Sequence, residues 1–192
     1  MKPVFSAVRL SSIAALVGSL FLAIARSFGA ESLVVCAPDG IHVATVTDQG
    51  RIQYRTVNDD AIQYTFYICH PHVISFSEDG KLLAAAGGGS GGLAKIKIWS
   101  VSDHHQLCEI VTRGEAVNVL GLSSDGSLVV GARADGRVEV WLVSDGQSQW
   151  SRTLSNVAKS MRFSSDSKGL FVTAEDGIVH TFGAKSGNRA RF

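Results

Sequence analysis

Residues Ser123–Trp141 read "SSDGSLVVGARADGRVEVW". Two Asp-Gly pairs, Asp125-Gly126 and Asp135-Gly136, bracket a run of apolar and small residues, and an alternating segment then ends in Trp. Glycine takes positive φ at little cost, so Asp-Gly between apolar runs marks a hairpin turn. Period-two alternation marks a strand with one buried face. The stretch reads as turn, strand, turn, strand.

Outward from it, the same pattern recurs. "LVVCAPDG", "VISFSEDG", "VLGLSSDG" and "SMRFSSDS" end at Asp39-Gly40, Asp79-Gly80, Asp125-Gly126 and Asp166-Ser167, with the four aspartates 40, 46 and 41 residues apart. Three residues before each Asp stand Cys36, Phe76, Leu122 and Phe163, and five before stand Val34, Ile74, Leu120 and Met161. Trp141 and Phe182 lie sixteen residues after their aspartates; Arg55 holds that place in the first copy, beside Tyr54, and Trp99 lies twenty residues after Asp79. The extra residues of the second copy fall in "GGGSGGLA", read as a flexible hairpin loop. Each copy predicts four antiparallel strands; in the third these are Val117–Leu122, Leu128–Ala132, Arg137–Leu142 and a strand near Gln149–Leu154. Self-similarity at about 40 residues predicts an all-β repeat architecture.

These residues resemble the WD40 repeat family. "FSEDGKLLAAAG", "SSDGSLVVGARADGRVEVW" and "IKIWSVSD" are similar to its Ser-x-Asp-Gly turn, small-residue strand and Trp-ended strand, and the likeness covers Leu33 to about Phe182. The resemblance implies a WD40-like β-propeller of about four blades, near 33–68, 73–111, 117–154 and 158–192. Ser100 and Leu142 stand where the family has Asp after Trp99 and Trp141. Tyr67, Arg113 and Leu154 stand near where it often has His, so the His–Asp network that braces many family blades is not expected. Less regular propellers of the lactonase or TolB type share such turns; the Trp at the strand end favours WD40. Four blades are few for the family, and a polar "KSGNRARF" occupies the place of a last outer strand. The expectation is an open arc: a fragment of a longer propeller protein, or a ring completed by a partner chain or a second copy, with Val34, Cys36, Met161 and Phe163 on its terminal faces.

The N-terminus differs in kind. Lys2 and Arg9 precede an acid-free apolar run, Ile13–Ala25, with small residues after it in "AIARSFGA". This is the layout of a signal peptide over residues 1–29, cut after Ala25 or Gly29. Read uncleaved, it is a membrane anchor, though the run is short beside the roughly 20 residues a bilayer needs. The expected destination is extracytoplasmic, with no membrane attachment after cleavage.

Composition bounds the chemistry. Of 192 residues 45% are hydrophobic and 18% charged, enough apolar content for a packed core. A formal net charge of +1 argues against a nucleic-acid partner. Cys36, Cys69 and Cys108 form neither a disulfide framework nor a CxxC pair. Cys36, in register with Phe76, Leu122 and Phe163, reads as a small core residue.

"GGGSGG", Gly87–Gly92, matches both a nucleophile elbow and a dinucleotide fingerprint, but each needs a helix after it and "LAKIKIW" alternates as a strand. Cys69, His70 and His72 in "CHPH" and the pair His104-His105 are metal-capable types placed in loops that open on opposite faces, so a convergent ligand set is not expected. No cofactor is implied. The leading expectation is a non-catalytic protein–protein interaction module, with contact residues His70, His72, Arg113, Glu115, Arg133 and Glu175 on inter-blade loops and second hairpins. The enzymatic alternative, a propeller hydrolase or lyase, needs acids or histidines converging from several blades, and no matched set occurs at equivalent positions.

Overall fold

The computed structural model describes residues 33–47, 49–57, 61–89 and 92–190. The expected signal peptide lies outside the described residues. Those residues contain fifteen strands and no helix. The first antiparallel sheet has β1 (Val34–Cys36), β2 (His42–Val46), β3 (Arg51–Thr56) and β4 (Ile62–Tyr67). The second has β5 (Pro71–Phe76), β6 (Leu82–Gly89), β7 (Leu93–Ser100) and β8 (Gln106–Arg113). The third has β9 (Val117–Leu122), β10 (Leu128–Arg133), β11 (Arg137–Leu142) and β12 (Ser148–Thr153). The fourth has three strands, β13 (Ala158–Phe163), β14 (Gly169–Ala174) and β15 (Val179–Gly183). Phe182 also makes a bridge to Arg189. Strands succeed one another in chain order within each sheet, and the first strands β1, β5, β9 and β13 contact one another from sheet to sheet. The arrangement is compatible with a propeller-like fold.

Register explains how the sheets pack. Leu83 pairs with Trp99, Val129 with Trp141, and Leu170 with Phe182. Each of these pairs faces the preceding sheet, together with Ile74 and Phe76, Leu120 and Leu122, or Met161 and Phe163. The opposite faces supply the complement: Ala44, Ile52 and Tyr54, then Ala84, Ile96 and Ile98, then Leu128, Val130 and Val140. Three apolar cores result, one at each junction between consecutive sheets.

Three expectations need correction. Met161 and Phe163 do not lie on a terminal face; they pack into the core between the third and fourth sheets. Cys36 is exposed rather than buried in a core. It pairs with Val43, which pairs with Arg55, so all three share the face that the later sheets turn toward their predecessor. On that face Val43 and Arg55 are buried, at 1% and 8% exposure, and Cys36 alone of the three is exposed. The Gly-rich loop is also shorter than expected, because Gly87, Gly88 and Gly89 belong to β6 and pair with Lys95, Ala94 and Leu93. A Cβ on Gly87 would collide with the Cys69 carbonyl oxygen, so glycine is required where that backbone crosses the strand.

The aspartate turns line one rim and repeat a hydrogen-bond unit. The hydroxyls of Ser77, Ser123 and Ser164 donate to Asp79, Asp125 and Asp166 at 2.7, 2.6 and 2.6 Å. The same hydroxyls accept from the amides of Leu82, Leu128 and Gly169. Neighbouring turns are tied together as well: Ser124 donates to Glu78, and the Asp125 amide donates to Ser167 Oγ at 3.0 Å. Ser167 takes the glycine place of the turn with φ 58°.

Burial pushes the Asp125 carboxyl up, but hydrogen bonds from Ser123 and Ser127 outweigh it and hold it below the ordinary value. Asp79 is lowered in the same way, and Asp166 is lowered by its Ser164 and Lys168 bonds. A carboxyl held low in the folded chain stabilises it at neutral pH; that contribution is lost as pH falls below the ordinary 3.8 and through the folded value. Ser123→Ala is expected to cost about 1–3 kcal/mol at pH 7, since it also strips the buried Leu128 amide of its acceptor. Urea titrations should show that cost shrinking below pH 3.8, as Asp125 becomes protonated; a cost independent of pH would detach Ser123 from Asp125.

Candidate functional site: an arginine-lined cleft

The rim opposite the aspartate turns carries the connections between sheets. There the end of β8 meets the hairpin of β10 and β11, and an open cleft of about 250 Å³ lies between them. It is lined by Val111, Thr112 and Arg113 from the second sheet and by Arg133, Arg137, Glu139 and Trp141 from the third.

Strand periodicity sets the third-sheet part of this lining. Arg133, Arg137, Glu139 and Trp141 share the face turned toward the second sheet. Gly131 opens room among them, because a Cβ there would stand 3.0 Å from Val117 and 3.1 Å from the Trp141 ring. The strand crossover then fixes Arg133. Its guanidinium donates to the Arg113 carbonyl at 3.1 Å and to Glu139 Oε2 at 3.2 Å. Glu139 Oε1 accepts from the Ser148 hydroxyl at 2.8 Å, and Arg137 Nε, 3.6 Å from Glu139 Oε2, donates to Ser151 Oγ at 2.8 Å. Arg133 and Glu139 are buried, at 4% and 9% exposure. Two buried polar atoms of the lining residues have no hydrogen-bond partner, Arg133 Nε and Thr112 Oγ1. Two guanidiniums, those of Arg133 and Arg137, thus stand against the one Glu139 carboxylate with the Arg113 carbonyl beside them, a cationic surplus suited to holding an anion.

Of the expected contact residues, the structure brings Arg113 and Arg133 to this cleft. Arg133 is an interior ion-pair partner rather than a surface side chain. Exposed Glu115 stands two residues past Arg113, on the connection from β8 to β9. His72 lies at the same sheet junction, where its Nε2 donates to the Val117 carbonyl at 2.9 Å and joins β5 to β9. His70 sits in the preceding loop with φ 47° and its Nδ1 3.0 Å from Cys69 Sγ. Glu175 is exposed on the fourth sheet, its amide bonded to the Val157 carbonyl, and does not line the cleft.

His104 stacks on Tyr64 with ring centroids 4.1 Å apart and reaches Tyr54 and Phe66, away from His70 and His72. Among the described residues no group of three or more His, Cys, Asp or Glu side chains is placed to hold a metal ion. Desolvation pushes the buried Cys108 thiol up, and partial desolvation does the same to the Cys36 thiol, away from the thiolate form that reacts. Gly92 leads directly into the strand β7, so neither glycine motif has the helix its chemistry needs. Sequence reasoning missed Arg137 and Glu139. Their signal was the alternation Arg133, Arg137, Glu139 on the side of the hairpin that also carries Trp141. The chain matches no protein-family model and no curated protein.

Proposed function

We propose that this chain is a non-catalytic protein-binding module of WD40-like propeller type, working outside the cytoplasm. The observation that carries the reading is the cleft between the second and third sheets. Its side chains are fixed by hydrogen bonds to backbone and to one another, and its unpartnered atoms are donor-rich groups suited to binding. Rim connections between packed sheets are free to vary in sequence without disturbing the cores, which suits them to recognition. The outer face of the first sheet is a second contact surface. Exposed Cys36 and half-buried Val34 are its accessible part, while Val43 and Arg55 beside them are already buried. A second copy or a partner chain packed there removes apolar surface from water, worth about 25 cal/mol for each Å² buried.

Site-specific photo-crosslinking tests both surfaces in one experiment. A photoreactive residue at Glu115 is expected to trap a discrete protein, and one at Cys36 a second copy or a partner chain. The same group at exposed Lys168, on the opposite rim, serves as the control. Equal labelling at all three positions, or none at Glu115 and Cys36, would refute the module.

A further inference from the structure

The arginine cleft has the chemistry to name its ligand class, and the inference rests on the binding-module reading. We propose that it seats a carboxylate of an acidic peptide, taken by Arg133 and Arg137. Four observations converge on this. The cleft, at about 250 Å³, has room for a side chain rather than a whole cofactor. Two guanidiniums, Arg133 and Arg137, stand with the one Glu139 carboxylate, so an incoming anion meets a cationic surplus. Arg133 is already held by Glu139 and the Arg113 carbonyl, so its orientation is set before any ligand arrives. Its Nε and the Thr112 hydroxyl are buried without partners, which is costly unless a further group satisfies them.

The planar fork of arginine matches a carboxylate through two parallel hydrogen bonds. The cleft already accommodates one such group, since Glu139 lies beside both Arg133 and Arg137. That same negative charge disfavours a doubly charged phosphate more than a singly charged carboxylate. Arg137 is half exposed and keeps donors beyond the Nε given to Ser151, so it can close over a ligand after entry.

Fluorescence anisotropy of a labelled hexaglutamate peptide with the full chain tests the assignment. Saturable binding is expected at low ionic strength, weakening with added salt, with a hexaglutamine peptide failing to bind. Arg137→Gln should weaken binding about tenfold, the range for a hydrogen bond to a charged group. The Arg137 side chain reaches solvent, and an unchanged circular dichroism spectrum verifies the fold. Acetate should compete better than inorganic phosphate at equal ionic strength. Binding equal in wild type and the Arg137→Gln variant, binding of hexaglutamine, or stronger competition by phosphate each overturns the carboxylate assignment. Tighter binding of a short DNA duplex than of hexaglutamate overturns it as well. If hexaglutamate fails while the cross-links at Glu115 and Cys36 still form, the ligand class falls and the module stands; if both fail, both fall.

Discussion

Trp141→Ala is expected to destabilise the folded chain by about 3–5 kcal/mol, the range for a buried aromatic cut to alanine. Trp141 is 3% exposed and sits in the core between the second and third sheets. Its neighbours there include Ile96 and Ile98 from one sheet and Leu120 and Val129 from the other. Gly131 sits against the indole ring, so truncation leaves a void next to a residue with no side chain to fill it. The core lies at the middle of three junctions, which limits how far the sheets can close on the gap. Urea unfolding monitored by far-UV circular dichroism measures the loss. A cost below about 1 kcal/mol would mean that the indole is not wedged between two sheets.

Glu139→Leu should cost a similar amount, about 3–5 kcal/mol, for an electrostatic reason. Arg133 is buried, and Glu139 is its counter-ion at 3.2 Å. Removing the carboxylate leaves a guanidinium away from water with only a carbonyl to answer its charge. The double variant Arg133→Met with Glu139→Leu removes both charges together and is expected to recover most of that loss, since well-packed apolar pairs often replace buried ion pairs without penalty. The cycle of single and double variants isolates the coupling. Additive effects would place the pair in high dielectric, where such contacts are worth about 0–1 kcal/mol. The half-exposed Lys95–Glu109 pair, at 2.7 Å, is the natural comparison and should show that smaller coupling.

The strands were legible because each copy states its register by alternation, and the third and fourth state it again by the sixteen residues from aspartate to Trp141 or Phe182. Val117–Leu122 and Arg137–Leu142 emerge at the expected residues. Alternation cannot give the cover on a face. Cys36 was assigned the correct side of its strand and the wrong burial, because burial belongs to the neighbouring sheet and not to the strand. The cleft was half legible for the same reason. Arg113 and Arg133 were marked as rim residues from their place near turns. The enclosure of Glu139 depends on β8 crossing over the β10–β11 hairpin, and "RVEVW" by itself reads as a charge pointing to solvent. The glycines at 87–89 misled in the opposite direction: a run that reads as loosely structured is part of a ladder because the Cys69 backbone presses on it.

The three cores share one asymmetry: the face of one sheet that carries the third-strand aromatic Trp99, Trp141 or Phe182 meets the opposite, non-equivalent face of its predecessor. Such a joint is head-to-tail: its two halves differ, and each sheet between the ends carries one of each. A duplicated copy of the middle units would therefore arrive already matched on both sides, needing no new interface to be invented. Growth by tandem duplication is thus the easy evolutionary path for this architecture, and loss of a whole unit the easy path back. Arg55 marks a limit to that freedom. It replaces the aromatic that a new upstream neighbour would have to meet, so lengthening the array from that side requires a compensating change, whereas a copy inserted between the second and third sheets requires none.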